Sequence, residues 1–244
     1  MKRRAMTKNG LTLPQLMAVA AASLALGLSA CQTVASFSQP SLVRVIDASY
    51  IAPAANVYVE KTLIAGNIGE GYVSNYGTVS PSTAAQIQVT AATGGATLVS
   101  SAATLKAGAQ HSVFLTDNGA SPTQYTVTVL EDAQTAAASG HSSFRFLNEA
   151  PRTGAVDVYM VPASTLLTDA IPLCTALPVG STCGYLSFAS QTLTMVITPT
   201  GVTTTKYTST PLALTGGEVR TVVIIDSQLT SNPPVSVVIA NDVQ

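Results

Sequence analysis

Apolar and polar residues alternate in short segments along the chain after residue 40. Val43 and Val45 flank Arg44, and Val57 and Val59 flank Tyr58. A period of two sends successive side chains to opposite faces of a β-strand, so each segment predicts a strand with one buried face. The same alternation recurs at Ile87 and Val89, Val113 and Leu115, and Val127 and Val129. No helical period is sustained after residue 40, and we predict an all-β fold.

Turn sequences separate these segments. They include Gly94-Gly95, Asn118-Gly119 and Gly216-Gly217, which are favoured where the backbone must reverse. Turns at intervals of about 8–12 residues predict about seven or eight short strands in each unit of about 95 residues. This is the pattern of a β-sandwich in which each sheet buries one face.

The opening segment of the pattern occurs twice. Residues 43–47 and 56–59 (VRVID and NVYV) reappear 101 positions later as residues 144–148 and 157–160 (FRFLN and DVYM). Later matches keep the same order: residues 105–117 with 214–226, Tyr72 with Tyr185, and Asp132 with Asp242. A shared order of motifs with a slowly changing offset is typical of duplicated domains.

These observations predict two tandem Ig-like antiparallel β-sandwich domains preceded by a signal peptide. The first sandwich is expected at residues 41–132 and the second at 141–244. The segment 133–140 is rich in small residues and is predicted to be a linker.

The first thirty residues have the organisation of a secretory signal peptide. Four basic residues precede an apolar run at residues 16–28, and small residues follow it. The run is shorter than the roughly 20 residues of a membrane-spanning helix. We therefore predict a signal peptide at residues 1–30 and a short tether at residues 31–40. The alternatives are an ordinary signal peptide with a chance cysteine and a retained core helix, which Pro14 disfavours.

The end of this run, Leu28-Ser29-Ala30-Cys31, resembles the lipobox of bacterial lipoproteins. The resemblance implies cleavage before Cys31 and acylation of that residue, and hence attachment to a membrane through a lipid such as palmitate. Several acyl chains anchor stably because each buried methylene contributes about 0.8 kcal/mol. In that family an aspartate after the cysteine retains the protein in the inner membrane, so Gln32 implies the outer membrane of the cell envelope.

The repeated segment also resembles a bacterial domain of unknown function, DUF4397. The resemblance is carried by an Arg-Val-hydrophobic opening at Arg44, a turn that contains Pro53, and the Asn-Val-Tyr-Val sequence that ends at Val59. Members are commonly secreted, often duplicated and expected to be β-sandwiches. Asp47 and Asn148 stand where the family often has a histidine. The resemblance implies no activity.

Charge argues against one class of partner. The full chain has a net charge of −1, and without the four basic residues of the leader it has seven basic and twelve acidic residues, a net charge of −5. Binding to nucleic acid depends on clustered lysine and arginine. We therefore predict no nucleic-acid partner.

Two cysteines lie in a segment that the first repeat lacks. Cys174 and Cys183 are nine positions apart, and exported proteins meet an oxidising compartment, which favours a disulfide between them. A redox pair or a metal site is the alternative. The spacing is not that of a CxxC redox motif, and no further metal ligands are nearby.

The sequence offers no catalytic or metal-binding constellation. It contains two histidines, of which His111 is expected to face solvent on a strand and His141 to lie by the linker. No Gly-x-Ser-x-Gly motif or phosphate-binding glycine loop is present. A Ser-His-Asp triad assembled in space stays open. We predict no catalytic residues, no metal and no cofactor.

Arg44, Asp47, Arg145 and Asn148 are the candidate ligand residues, because polar side chains recur at the same place in both repeats. They could present a guanidinium with a carboxylate or carboxamide to an anionic or sugar ligand. The alternative, which we prefer, is a structural arginine that packs through its stem and pairs with a neighbouring acid. The recurring tyrosines have two similar interpretations: they could bind a glycan, or they could be half-buried residues of the strands.

The sequence therefore favours a non-catalytic cell-envelope lipoprotein, a binding or structural module at the outer membrane. Its partners would be the membrane, through Cys31, and a glycan or envelope protein. The competing hypotheses are an extracytoplasmic hydrolase with an unrecognised site and a purely structural spacer or assembly subunit.

Overall fold

The computed structural model describes residues 38–118, 124–163, 165–227 and 235–243. The predicted signal peptide at residues 1–30, most of the tether and Cys31 lie outside the described residues. Within the described part, no helix has the length and apolar character needed to cross a membrane.

Strands dominate both halves of the described chain. The first half contains β1 (Ser41–Asp47), β2 (Ala55–Val59), β3 (Thr62–Ile68), β4 (Gly77–Val79), β5 (Ser82–Ala91), β6 (Thr97–Leu105), β7 (Gln110–Asp117) and β8 (Tyr125–Glu131). The second contains β9 (His141–Glu149), β10 (Val156–Val161), β11 (Cys174–Leu177), β12 (Ser181–Ala189), β13 (Thr192–Pro199), β14 (Tyr207–Thr208), β15 (Leu212–Ala213), β16 (Val219–Asp226) and β17 (Val235–Asn241). A short 3-10 helix spans Leu167–Asp169.

Each half is a sandwich of two sheets. In the first sandwich, an inner sheet of order β4-β1-β7-β8 packs on an outer sheet of order β3-β2-β5-β6. In the second, an inner sheet of order β12-β9-β16-β17 packs on an outer sheet of order β11-β10-β13-β14, with β15 paired to β13. The predicted all-β sandwich fold is confirmed.

The strand pairing has the same form in the two sandwiches. The first strand of each pairs in parallel with the strand before the last, β1 with β7 and β9 with β16. The other pairs are antiparallel, so each sandwich that was predicted to be antiparallel contains one parallel pair. In these parallel pairs Arg44 is opposite Ser112, and Arg145 is opposite Thr221.

The outer sheets follow the predicted alternation. In β5 the apolar residues Ala85, Ile87 and Val89 are buried in the core between the sheets, while Gln86 and Gln88 are exposed. Gly94 has a positive φ of 79° in the turn that follows β5, a conformation that glycine adopts without steric cost.

The inner sheets depart from the predicted alternation. The prediction of one buried face per sheet is wrong here, because β7 and β9 are buried on both faces along most of their length. Their second faces meet in an apolar cluster between the sandwiches, which includes Ile46, Phe114, Leu147, Val223 and Ile225. Residues from Ser38 onward therefore form one compact unit of four stacked sheets.

Candidate functional site at the junction of the sandwiches

Arg44 lies in the junction between the two inner sheets, with 2% of its surface exposed. Its Nε donates to Ser112 Oγ of the first sandwich at 2.7 Å. Its Nη1 donates to the carbonyl oxygen of Asn241 in the second sandwich at 2.5 Å. Its Nη2 donates to the Asp242 carboxylate. Three guanidinium nitrogens are thus bound by protein acceptors.

Arg145 of the second sandwich makes the corresponding contacts to its own sandwich and to the first sandwich. Its Nε and Nη2 donate to Thr221 Oγ1 of its own sandwich, at 3.1 and 2.7 Å. Its Nη1 donates to the Glu131 carbonyl oxygen at 2.9 Å, and its Nη2 donates to Asp132 Oδ1 at 2.5 Å. Each sandwich therefore supplies the aspartate that pairs with the arginine of the other.

The two aspartates are also held within their own sandwiches. Asp132 Oδ2 accepts hydrogen bonds from Ser112 Oγ and Tyr76 Oη, both at 2.7 Å. Asp242 Oδ2 accepts from Thr221 Oγ1 and Tyr185 Oη, again both at 2.7 Å. We call these two arginines, two aspartates, two tyrosines and the Ser112 and Thr221 hydroxyls the junction network.

The tyrosine rings complete the packing of the guanidinium groups. The Arg44 Cζ atom is 4.9 Å from the ring centre of Tyr76, and the Arg145 Cζ atom is 4.8 Å from that of Tyr185. Burial raises the pKa of Tyr185 to about 12, while the charge of Arg145 opposes this shift and that of Asp242 adds to it. Burial and the charge of Asp132 also raise the pKa of Tyr76. Both phenols therefore remain protonated and donate to the aspartates.

The junction network is balanced in charge, with two arginines against two aspartates. Desolvation makes a buried ion pair expensive to form, and removal of one partner leaves an uncompensated buried charge. Each charge of the junction network therefore depends on its partner, and in the observed arrangement each sandwich supplies the aspartate for the other's arginine.

The structure locates all four candidate ligand residues. Arg44 and Arg145 are brought together in the junction network, where each guanidinium nitrogen donates to a protein acceptor. Asp47 and Asn148 lie three residues further along the same strands and are separate from the network. The ligand role of the four residues stays a prediction.

Asp47 and Asn148 occupy equivalent positions but differ in how well their side chains are satisfied. Asn148 Oδ1 accepts from the Ala150 N–H, and its Nδ2 donates to the carbonyls of Gly154 and Leu177. Asp47 Oδ1 accepts from the Ser49 N–H, but its buried Oδ2 has no hydrogen-bond partner among the described residues. Burial raises the pKa of Asp47 to about 7.

Further carboxylates are found at this end of the molecule. Asp117 accepts from Ser49 Oγ and the Tyr50 N–H, whereas Asp226 accepts from the Arg152 N–H and Thr153 Oγ1. Burial raises the pKa of Asp117, and the charge of Asp226 contributes. These two aspartates fix the loops that follow β1 and β9.

Glu149 adds a second incompletely satisfied acid. It is buried, and its Oε1 has no hydrogen-bond partner within the described part of the chain. Burial, and to a smaller extent the charge of Asp117, raises the pKa of Glu149 to about 7. Asp47 and Glu149 thus favour their neutral forms in the folded state below about pH 7.

Cys174 and Cys183 form the disulfide that the sequence predicts. The bond joins the first residue of β11 to Cys183 of β12, the strands that occupy the positions of β3 and β4 of the first sandwich. It therefore links the outer and inner sheets of the second sandwich.

His111 corrects an expectation from the sequence. The prediction that it faces solvent is wrong, since 2% of its surface is exposed. Its Nδ1 lies 3.1 Å from Ser41 Oγ, and burial lowers its pKa. His111 has the same parity along β7 as Val113 and Leu115, which lie in the core of the first sandwich. It therefore faces the space between the two sheets of that sandwich, where its Nε2 accepts from the Lys106 N–H at 3.4 Å.

Sequence comparison also paired the wrong tyrosines. Tyr185 corresponds to Tyr76 in the structure, because both donate to the aspartate of the junction network, whereas Tyr72 is 45% exposed. The register agrees: Leu42 pairs with Thr78 in the first sandwich, and the equivalent Ser143 pairs with Ser187 in the second. The short motif Gly-Tyr-hydrophobic favoured Tyr72 over the correct partner.

Three or more His, Cys, Asp or Glu side chains arranged to hold a metal ion do not occur among the described residues. Among the contacts described above, the pair of Ser41 and His111 most resembles a catalytic nucleophile with its base. Ser41 is fully buried, and its hydroxyl donates to the Ala109 carbonyl oxygen at 3.4 Å.

The chain is similar to solved structures of other proteins. One of these is CBMbc, a family CBM26 module of Amy13K from Eubacterium rectale, solved in complex with maltoheptaose. Identity is 11%, the alignment covers 80% of this chain and 95% of that chain, and the TM-score is 0.25. A likeness at this level carries no argument about what this chain binds. No curated protein matches the chain.

A family model gives the more specific result. The model described as "Domain of unknown function (DUF4397)" matches residues 41–159. The match covers the whole first sandwich together with β9 and most of β10. A DUF4397 domain is therefore found at residues 41–159.

Proposed function

We propose that this chain is a non-catalytic lipoprotein of the cell envelope, anchored through Cys31, whose two sandwiches act as one rigid binding module. We also propose that the second sandwich is a second DUF4397-like copy. The proposal of a second copy is supported by the repeated strand order and by the equivalent contacts of Arg44 and Arg145.

The junction network is the observation that carries this proposal. Two sandwiches joined only by a flexible linker would move independently. Here reciprocal buried ion pairs and an apolar cluster hold the inner sheets against each other. A module built in this way presents its surface in a fixed geometry, which favours recognition because less conformational entropy is lost on binding.

The polar residues that recur in both sandwiches are used by the fold itself. Arg44 and Arg145 bind aspartates, and Tyr76 and Tyr185 donate to the same aspartates. Their recurrence is thus explained by packing, without a catalytic role. The Ser41 and His111 pair supports a hydrolase less well, because both side chains are buried away from any substrate.

The anchor rests on the Leu-Ser-Ala-Cys sequence that ends at Cys31. Outer-membrane placement rests on Gln32 and is part of the same proposal. A single acyl chain binds a membrane reversibly, so a stable anchor requires more than one.

Metabolic labelling with palmitate tests the anchor. The full chain is expressed in a Gram-negative host together with the Cys31→Ala variant, and the membranes are fractionated by density. We expect label in the outer-membrane fraction for the natural chain and none for the variant. Absence of label from both, or equal label in both, would contradict the lipoprotein assignment.

A further inference from the structure

A cleft opens beside Tyr76, where the first sandwich meets the last strand of the second. Its volume is about 340 Å³, and its walls include Ser74, Asn75, Asn241 and Val243. Pockets for small ligands occupy roughly 300–1,000 Å³. We propose that this cleft binds a neutral sugar residue of a glycan.

The cleft breaks the approximate symmetry of the junction. On one side of the junction, the N–H of Ala133, the residue after Asp132, donates to Tyr185 Oη of the second sandwich at 3.1 Å. Val243 follows Asp242 in the same way, but among the described residues it makes no such bond to Tyr76 and instead lines the cleft. The space beside Tyr76 is therefore a feature of one side of the junction only.

Two free carboxamides border the space. The side chains of Asn75 and Asn241 are exposed, and within the described part of the chain neither has a side-chain hydrogen-bond partner. A carboxamide both donates and accepts, so the pair can serve neighbouring hydroxyl groups that have the same dual character. Val73 and Val243 add apolar contacts that suit the C–H faces of a sugar ring.

The electrostatics of the cleft favour a neutral ligand. Arg44 lines it, but Asp242 balances its charge and protein acceptors occupy its three nitrogens. Burial and the charge of Asp132 raise the pKa of Tyr76, which keeps the phenol neutral. An anionic ligand would find no free cation among these groups.

One wall of the cleft, the Tyr76 ring, is held in place before any ligand arrives. Tyr76 is fixed by its bond to Asp132 at 2.7 Å and by Arg44 stacked on its ring at 4.9 Å. Fixed contact groups lose little conformational freedom on binding.

A neighbouring cavity extends the surface. Asn241 and Val243 also line a cavity of about 360 Å³ together with residues 216–219. A ligand of more than one ring can contact both cavities across these two residues, so we expect oligosaccharides to bind more tightly than monosaccharides.

This inference rests on the proposed binding function, and glycan titration tests it. The full chain, purified in detergent, is titrated by calorimetry with oligomers of glucose, galactose, mannose and N-acetylglucosamine, and with uronic-acid and sialic-acid oligomers. The variants are Asn75→Ala and Asn241→Ala. Gln86→Ala, which removes an exposed carboxamide from the outer sheet, is the matched control.

We expect at least one neutral oligosaccharide to bind with a Kd of about 1 mM or tighter. Asn75→Ala and Asn241→Ala should each weaken this binding by about 5- to 10-fold through loss of a hydrogen bond, while Gln86→Ala changes it by less than about twofold. Asn75 lies outside any strand, so its variant reports on binding rather than folding.

No binding of any neutral sugar at about 10 mM overturns the proposal, and binding restricted to acidic sugars shows that the ligand class is wrong. Binding that is unchanged in both asparagine variants places the site elsewhere while the binding function stands. Palmitate labelling is independent of all three results.

Discussion

Arg44 of the first sandwich pairs with Asp242 of the second, 198 positions later in the chain. The contact is completed by its counterpart, Arg145 with Asp132, and both pairs are buried. A duplicated domain in which each copy provides the acid for the other's arginine is self-complementary, as an isologous interface between identical subunits would be. Here the two partners belong to one chain.

Loss of one aspartate from the junction network should destabilise the protein strongly. We expect Asp132→Asn to lower the free energy of unfolding by about 3–5 kcal/mol, because it leaves the Arg145 guanidinium buried without its counter-charge. Urea unfolding followed by circular dichroism measures the effect. Lys106→Ala, which removes the exposed Lys106–Glu131 pair, is the control and should cost at most about 1 kcal/mol. Equal effects of the two variants would contradict this role.

Tyr76, rather than Tyr72, should behave as the counterpart of Tyr185. Tyr76→Phe removes the hydroxyl that donates to Asp132 and should destabilise by about 1–3 kcal/mol, since it leaves a buried acceptor short of one donor. Tyr72→Phe should change stability by no more than about 0.5 kcal/mol, because Tyr72 is 45% exposed. The reverse order of effects would support the pairing suggested by sequence.

Stability should fall as the pH rises from about 4 to about 7. The pKa values of Asp47 and Glu149 are raised to about 7 from 3.8 and 4.5, mainly by burial. Between the two values the folded state binds more protons than the unfolded state, so the free energy of unfolding decreases with pH, and it levels off above the folded pKa. Titration of unfolding against pH measures this slope.

Asp47→Asn isolates the contribution of one group. The substitution copies Asn148 of the second sandwich, and it should remove part of the slope and stabilise the protein above pH 7 by an amount of the order of a few kcal/mol. Burial lowers the pKa of His111. At pH values below the ordinary pKa of histidine, His111 therefore makes the free energy of unfolding increase with pH, and it does so equally in the natural protein and in the variant. An unchanged slope in the variant would show that Asp47 is charged in the folded state.

The disulfide should stabilise the protein. Cys174→Ala with Cys183→Ala opens a loop of about ten residues, which corresponds to about 2.5–3 kcal/mol in the chain-entropy model. Thermal unfolding of the natural protein with and without reductant should reproduce the shift, and the double variant should not respond to reductant. A reductant-dependent shift in the variant would contradict the assignment.

The all-β class, the repeated segment and the disulfide could be predicted from sequence because each depends on local pattern. Alternation at Val43 and Val45 is a property of neighbouring residues, and two cysteines nine positions apart are free to meet. The junction could not be predicted in the same way, because Arg44 between two valines has the same pattern whether water or another sheet covers it.

One signal for the junction was present in the sequence. Residues 222–225, Val-Val-Ile-Ile, form a continuous apolar run in β16, and such runs are typical of strands that are buried on both faces. The run indicated a covered second face for the inner sheet. It could not indicate which surface covers it, since that contact joins residues far apart in sequence.

The central claim is that reciprocal ion pairs fasten the two sandwiches together, and a double-mutant cycle on Arg44 and Asp242 tests it most directly. Arg44→Met, Asp242→Leu and the double variant are unfolded in urea beside the natural chain. We predict a coupling energy of at least about 2 kcal/mol, with the double variant more stable than the sum of the single effects implies. Additive effects within about 0.5 kcal/mol would show that the two residues do not hold the sandwiches together.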